Sequence, residues 1–382
     1  MKELFAGTSK LHRLIFAILV SACLTCCGHL ENGASTNAPP TDLFTAQIAF
    51  TSRRCECGDA NIKLLTWPDG NVSLLQGHED YRAPAWSPDG RMIAMLSYIS
   101  NTQRVLRIVD LSAPAIYTQV GSFIYEFAWS ADGTGLFYLE KGGNLYRYTL
   151  LEGKTEYVID AISGFSVSPN GQWLGLSIYN PAHSGAFTFR VLDLSDGSLL
   201  TTADPSDISR LGANLSTWSP ITDEVAVLFG PGTSQSSKVV IYTVQEEHLS
   251  IKATAVAQDT YQHDFGRDLP SVEFSDPTWS PDGEELLVIR STTDANPGGE
   301  ALLFDAALSD YERLPFGDHV TRAAWRKDGR WLAYVVSDEG QNTPISCPDQ
   351  LGGEIWLANM ETLDTQLLVT DTLYIEQPAW QP

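Results

Sequence analysis

The feature that most constrains the fold of this chain is a short phrase that recurs along most of its length. Most copies read Ala/Thr-Trp-Ser-Pro-Asp-Gly or a close variant, and their tryptophans are Trp86, Trp129, Trp218, Trp279, Trp325 and Trp380. A seventh copy, Val167-Ser168-Pro169-Asn170-Gly171, keeps the turn residues without the tryptophan. The mean step between copies is about 49 residues. A repeat of this length, in which an aromatic strand ends in a tight turn, predicts a circular array of small sheets.

The best-defined unit shows what each copy contributes. Ala85-Trp86 begins a strand, and Ser87-Pro88-Asp89-Gly90 has the composition of a tight turn. Three further segments rich in apolar residues follow before the next tryptophan. Four strands per unit, with apolar inner strands, predict a propeller blade and an all-β fold.

The two ends of the array are incomplete in complementary ways. The first unit supplies three strands around 46–50, 62–66 and 72–75 but has no tryptophan strand, whereas the chain ends on Gln377-Pro378-Ala379-Trp380. We therefore predict a seven-bladed β-propeller in which the C-terminal strand completes the N-terminal blade and removes an open sheet edge. The long step from Trp218 to Trp279 predicts an insertion in the array.

The N-terminal segment has the composition of a targeting signal. Lys2, Lys10 and Arg13 precede the apolar run 14–20, which is too short to span a membrane. Val20-Ser21-Ala22-Cys23 resembles the bacterial lipobox, which implies lipid attachment at Cys23; a plain cleaved signal is the alternative. We predict a signal peptide at 1–22, a lipidated flexible tether at 23–43 and the propeller at 44–382, hence an exported cell-envelope lipoprotein.

Charge limits the partners. The formal net charge is −23, and the sequence contains no basic cluster, so nucleic acid is not expected as a partner. We expect a monomer that meets the membrane only through its lipid anchor.

The repeated Trp-Ser-Pro-Asp-Gly strands resemble the TolB-like β-propeller repeat, a WD40-like repeat that also occurs in prolyl-oligopeptidase-like enzymes. The resemblance covers about 44–382 and implies the blade fold rather than an activity. Some seven-bladed lyases of this propeller type bind a metal through several histidines, so the resemblance also keeps a metal-dependent enzyme open.

The sequence contains no recognised catalytic or metal-binding motif, and we predict no catalytic residue, metal or cofactor. Long segments between second and third strands, and one between blades at about 245–275, should share one face of the propeller, where function concentrates. Candidate residues for binding on that face are His183, Tyr261, His263, Asp264, Arg267 and His319. Two functions follow: a scaffold that binds a protein or glycan, or a metal-dependent lyase or hydrolase that uses the histidines. Solvated loop residues without a role are the simplest interpretation of this set.

Three cysteines lie within the array. Cys55 and Cys57 lie between the second and third strands of the first blade, and Cys347 lies at the equivalent place in the seventh. Ring closure makes these blades neighbours, so an oxidising compartment would favour a disulfide from Cys347 to Cys55 or Cys57. A zinc site with three cysteine ligands is the lesser alternative.

Overall fold

The computed structural model describes most of the predicted propeller. The described residues are 45–53, 60–76, 80–100, 103–114, 117–180, 186–201, 208–209, 213–230, 237–245, 248–266, 272–292, 299–337, 353–371 and 374–382. The predicted signal and tether with Cys23, and the cysteines at 55, 57 and 347, lie outside them. No helix among the described residues is long and apolar enough to cross a membrane.

The described chain forms seven antiparallel sheets, which we number as blades I to VII. Blade I consists of β1 (Ala46–Arg53), β2 (Ala60–Trp67), β3 (Asn71–Gln76) and β29 (Tyr374–Trp380). Blades II and III contain β4 (Asp80–Trp86), β5 (Met92–Tyr98), β6 (Arg104–Asp110), β7 (Tyr117–Val120), β8 (Ile124–Trp129), β9 (Gly135–Glu140), β10 (Asn144–Thr149) and β11 (Lys154–Ile159).

Blades IV and V contain β12 (Ile162–Val167), β13 (Trp173–Asn180), β14 (Ala186–Asp193), β15 (Leu199–Thr201), β16 (Ile208–Ser209), β17 (Ala213–Trp218), β18 (Glu224–Phe229), β19 (Lys238–Val244) and β20 (Leu249–Val256). Blades VI and VII contain β21 (Val272–Trp279), β22 (Glu285–Thr292), β23 (Glu300–Asp305), β24 (Tyr311–Arg313), β25 (Val320–Trp325), β26 (Trp331–Ser337), β27 (Gly353–Asn359) and β28 (Thr365–Asp371).

The strand order identifies a seven-bladed β-propeller, which confirms the predicted fold. The strands that precede the turns (β29, β4, β8, β12, β17, β21 and β25) make contacts from blade to blade around the ring. They are therefore the innermost strands, and the other strands of each blade follow outwards.

The C-terminal strand closes the ring as predicted. β29 pairs antiparallel with β1, with Trp380 opposite Ile48 and Ala379 opposite Ala49. Beyond the strand, the Gln381 amide donates to the Gln47 carbonyl at 2.8 Å, and its side chain donates to the Gly90 carbonyl at 3.0 Å. Blade I is thus built from both ends of the described chain.

The repeated tryptophans connect neighbouring blades. The Trp129 indole N–H donates to the carbonyl of Ala85, the residue before the tryptophan of the previous blade, at 3.0 Å. The same bond joins Trp86 to Ala379, Trp279 to Thr217 and Trp380 to Ala324. The indoles are mostly buried between blades, so they contribute apolar area as well as a hydrogen bond.

The Ser-Pro-Asp-Gly turns are stabilised by the serine side chain. Ser87 Oγ donates to Asp89 Oδ1 at 2.6 Å and accepts the Met92 N–H at 2.9 Å. Gly90 has φ +69°, which an L-residue rarely adopts, and this explains glycine at the last turn position. The turn therefore fixes the hairpin between the first two strands of a blade.

The predicted insertion between blades V and VI is partly helical, which corrects the description of 245–275 as an inter-blade loop segment. Residues 249–256 form β20, the outermost strand of blade V, and α1 (Ala257–Phe265) follows it. Gly266 ends the helix in the left-handed conformation, with its N–H bonded to the Gln262 carbonyl at 2.8 Å. The helix places Ala257 and Tyr261 in the apolar core between the two blades.

Candidate functional site

One face of the propeller carries the strand ends where binding is expected. In each blade, the connection between the second and third strands and the connection to the next blade leave from the same end of the sheet. The Ser-Pro-Asp-Gly turns leave from the opposite end. We call the first end the loop face.

Two of the predicted residues, His263 and Asp264, belong to a network that fastens α1 to blade VI. Asp264 Oδ2 lies 2.7 Å from Arg290 Nη2, and its Oδ1 lies 2.8 Å from Tyr311 Oη. Arg290 also contacts Glu300 at 2.6 Å, and its side chain is only 1% exposed. Because Tyr311 lies on β24, the outermost strand, this network belongs to the outer part of the blade, whereas the sequence had placed the site near the channel.

The electrostatics of this network are balanced internally. Burial opposes ionisation of Asp264, but hydrogen bonds from Arg290, Tyr311 and His263 outweigh it, so the pKa of this carboxyl is lowered. Burial and the neighbouring Asp264 raise the pKa of Tyr311 to about 12. Asp264 is therefore a carboxylate and Tyr311 a neutral phenol at neutral pH, an arrangement that holds the helix in place.

The remaining predicted residues are dispersed or lie outside the description. Tyr261 is buried in the core and its ring centre lies 4.5 Å from that of Phe265. The His263 side chain is 78% exposed and its Nδ1 lies 3.2 Å from Asp264 and 3.1 Å from Tyr311. His319 is exposed just before β25. His183 and Arg267 lie outside the described residues, within which no three His, Cys, Asp or Glu side chains converge in a manner suited to a metal ion.

A group of half-buried arginine and tyrosine side chains, with one exposed tyrosine, occupies the loop face of blades II and III. We call Arg82, Tyr98, Arg104 and Tyr125 the arginine–tyrosine surface. Arg82 Cζ lies 4.4 Å and Arg104 Cζ 4.6 Å from the Tyr98 ring centre. Arg104 Cζ also lies 4.9 Å from the Tyr125 ring centre. Cation–π contacts of this kind hold the side chains in a fixed arrangement.

This surface retains binding capacity. Asp80 accepts two hydrogen bonds from Arg82, at 2.9 and 2.8 Å, whereas Arg104 makes no ion pair with any described residue. The Tyr125 residue is 46% exposed, and Ile99 and Phe123 beside it are also exposed. The sequence analysis missed these residues; the available signal was that aromatic and basic residues occupy strand ends on the loop face.

Two acidic residues lie on innermost strands at equivalent positions, three residues before the tryptophan of their own repeat. Asp276 in blade VI accepts the Ala323 N–H at 2.9 Å and pairs with Arg322 Nη1 at 2.9 Å, both in blade VII. Burial raises the pKa of Asp276, and the neighbouring Arg322 opposes this. Burial raises the pKa of Glu126 in blade III to about 7, against a lowering contribution from the Phe165 N–H of blade IV.

Known proteins share the fold of this chain at low sequence identity. An oligogalacturonate lyase in complex with manganese is 13% identical over 84% of each chain, with a TM-score of 0.53. A protein from Lactobacillus plantarum is 10% identical over 88% of this chain and 99% of its own, with a TM-score of 0.56. A TolB-like protein from Agrobacterium tumefaciens is 13% identical over 85% of this chain and 89% of its own, with a TM-score of 0.46.

At these identities the likeness shows the fold alone. No family model matches the sequence, and no curated protein matches it significantly. The fold defines the chain as a seven-bladed propeller scaffold, and its residues must carry any argument about function.

Proposed function

We propose that this protein is a non-catalytic binding scaffold that takes a protein or glycan partner on the loop face. The observation that carries the proposal is the arginine–tyrosine surface. Arginine and tyrosine are enriched in the residues that dominate binding energy, because they combine large contact area with directed hydrogen bonds. Here the rings and guanidinium groups are already held by one another, which lowers the entropy lost on binding.

The acidic surface restricts which partners fit. With a net charge of −23, the chain as a whole repels polyanions. Arg104, which makes no ion pair with a described residue, forms a local exception on the loop face, suited to a carboxylate or hydroxyl-rich group. A partner with a mixed polar and aromatic surface is consistent with both features.

The test uses one tyrosine on the loop face and one elsewhere. Purified residues 28–382 are screened against cell-envelope glycans and cross-linked envelope proteins, and the affinity of each hit is measured for Tyr125→Ala and Tyr157→Ala. Tyr157 is 57% exposed on the outermost strand of blade III and is the matched control. We expect Tyr125→Ala to weaken binding about tenfold or more and Tyr157→Ala to leave it unchanged. Equal effects of the two variants would contradict the proposal.

The metal-dependent enzyme is the second candidate. It is supported by the fold shared with a lyase that was solved with manganese, and by the exposed His263 on α1. Manganese titration of the purified protein tests it directly. Near-stoichiometric manganese together with cleavage of oligogalacturonate, both reduced in His263→Ala, would replace the binding scaffold with an enzyme.

The membrane tether is a separate proposal, supported only by the sequence of the N-terminal segment. We propose that Cys23 carries a lipid and that the propeller acts in the cell envelope as a monomer. A Cys23→Ser variant should move from the membrane fraction to the soluble fraction, while Cys26→Ser should remain with the membranes. Retention of the Cys23→Ser protein in the membrane fraction would contradict the lipid anchor.

A further inference from the structure

We propose that Glu126, whose carboxylate accepts the main-chain N–H of Phe165, forms a binding site for an organic cation, the guanidinium or ammonium group of a protein partner, on the inner strands of blades III and IV. The inference rests on the proposed binding function and narrows the partner to one that presents a basic side chain. It is carried by the repeat symmetry of the propeller, which shows an occupied version of the same arrangement elsewhere in the ring.

The arrangement that already contains a cation lies between blades VI and VII. One oxygen of Asp276 accepts the N–H of Ala323, and the other pairs with the guanidinium of Arg322. The side chain of Arg322 is 41% exposed, so solvent reaches the inner strands at this level of the ring. The protein itself supplies the cation there.

Blades III and IV repeat this arrangement with one component absent. Glu126 lies three residues before its tryptophan, as Asp276 does, and receives the N–H of Phe165 as Asp276 receives that of Ala323. The backbones differ, because Asp276 lies within a bulge at φ +51° whereas Glu126 is paired opposite Leu139, so the likeness is in the carboxylate and the amide of the next blade. The residue in the position of Arg322 is Gly164.

The pairing register establishes that Gly164 and Arg322 are equivalent. Gly164 lies opposite Ser177, directly after a one-residue bulge in β12, and Arg322 lies opposite Val335 directly after a one-residue bulge in β25. Each is three residues before the last residue of its strand. Gly164 therefore leaves the space beside Glu126 without the side chain that neutralises Asp276.

The charges around Glu126 favour a cation from outside. No described Lys, Arg or His side chain makes an ion pair with Glu126, and β12 carries no charged residue. On β9, Glu140 lies opposite Ile124 and adds negative charge near the start of β8. The neighbouring Tyr125 belongs to the arginine–tyrosine surface, so a partner docked there contacts the strand that carries Glu126.

The cost of burying the charged form of Glu126 also favours a bound cation. Desolvation makes the charged form of Glu126 costly, which is why its pKa rises to about 7. A hydrogen-bonded guanidinium offsets this cost, because charge-assisted pairs in a poorly solvated place are strong. At neutral pH Glu126 is divided between the neutral acid and the carboxylate, and cation binding favours the carboxylate, which then forms the ion pair.

The test compares a charged probe with its neutral isostere. Phenylalanine amides are labelled with ¹⁵N, the Phe165 signal is assigned with Phe165→Leu, and Nα-acetyl-arginine methylamide is titrated at pH 8 against Nα-acetyl-citrulline methylamide. We expect a saturable shift of the Phe165 amide with the arginine probe and about tenfold weaker or no binding with citrulline. Protonation should weaken arginine binding at pH 5.

Two variants test whether Glu126 is responsible for the binding of the arginine probe. Glu126→Gln preserves shape and an acceptor for the Phe165 amide, so it should fold and lose about tenfold or more of the arginine affinity. Glu156→Gln, on the outer strand β11, is the matched control and should bind as the wild type does.

Several outcomes would overturn the site. These are no saturable shift in the wild type, an equal shift with citrulline, an equal affinity in Glu126→Gln, or a response to CaCl₂ in place of arginine. If Glu126→Gln does not fold, the citrulline and pH comparisons on the wild type decide. A partner that loses affinity in Tyr125→Ala but not in Glu126→Gln would leave the binding scaffold intact and refute the cation site alone.

Discussion

At the scale of single residues, burial makes the ionisation of Glu126 costly. Its carboxyl lies beside a main-chain amide between two inner strands, and burial raises its pKa from 4.5 to about 7. Asp264 shows the opposite direction, because hydrogen bonds from Arg290, Tyr311 and His263 overcome its burial. A carboxyl group is therefore stabilised as a carboxylate by its hydrogen bonds at Asp264, whereas at Glu126 burial makes the carboxylate costly.

Replacing Glu126 should change the pH dependence of stability in a defined direction. Folding raises the pKa of this acid, so its stabilising contribution is present below about pH 4.5 and is lost as the pH rises through about 7. Glu126→Gln should therefore be more stable than the wild type at pH 8, by about 3 kcal/mol at most, and nearly equal at pH 4.5. Urea unfolding at the two pH values measures this.

The exposed Glu156 provides the reference for that experiment. Glu156 pairs with Lys154 at 2.6 Å on the outer strand β11, and pairs of this kind contribute little to stability. Glu156→Gln should leave the free energy of unfolding essentially unchanged at both pH values. A Glu126→Gln variant that behaves in the same way would refute the account of Glu126.

At the scale of elements, the inner strand with its tryptophan is the unit that the ring repeats. In four copies of the repeat, the indole N–H donates to the main-chain carbonyl of the residue that precedes the tryptophan of the previous blade. This hydrogen bond links each of these four blades to the one before it. Blade IV departs from the pattern: Val167 replaces the tryptophan, and the Trp218 indole donates to Ser166 Oγ at 2.9 Å instead. The side-chain hydroxyl of the equivalent residue thus replaces its main-chain carbonyl as the acceptor.

The inter-blade hydrogen bond should be measurable against an indole that lacks it. Trp129 donates to Ala85, whereas Trp325 Nε1 has no hydrogen-bond partner within the described part of the chain. Both Trp→Phe changes remove similar apolar area, but only Trp129→Phe removes an inter-blade hydrogen bond, whereas Trp325→Phe removes an N–H that has no partner in the described part of the chain. We expect Trp129→Phe to cost about 1 kcal/mol more than Trp325→Phe in thermal or denaturant unfolding. Equal losses would show that packing alone stabilises the blades.

The sequence predicted those elements that repeat. Trp86 and its equivalents, the Ser-Pro-Asp-Gly turns and the incomplete ends together determined the blade, the count and the closure. The helix α1 was missed because the segment has no apolar period to distinguish it from a polar loop, and tertiary contacts of Tyr261 and Asp264 hold it in place.

The site could not be predicted in the same way. Arg104 and Tyr125 do not belong to the recurring phrase, and they lie close together only because separate strands bring them there. The relation of Gly164 to Arg322 depends on two bulges that no local sequence pattern marks. Functional residues in a repeat protein break the repeat, which is the reason sequence symmetry predicts the scaffold better than the site.

At the scale of the whole molecule, the two faces of the ring carry different chemistry. Six similar short turns join the first and second strands of blades II to VII on the face opposite the loop face, because blade I pairs the two ends of the described chain instead. The loop face carries the arginine–tyrosine surface and the connections between blades. The central claim is that the partner binds the loop face. Hydrogen exchange of residues 28–382 with and without a partner found in the binding screen tests it most directly. The account predicts slower exchange at 96–106 and 122–127 with unchanged exchange in the Ser-Pro-Asp-Gly turns; protection confined to those turns or to the outermost strands would contradict it.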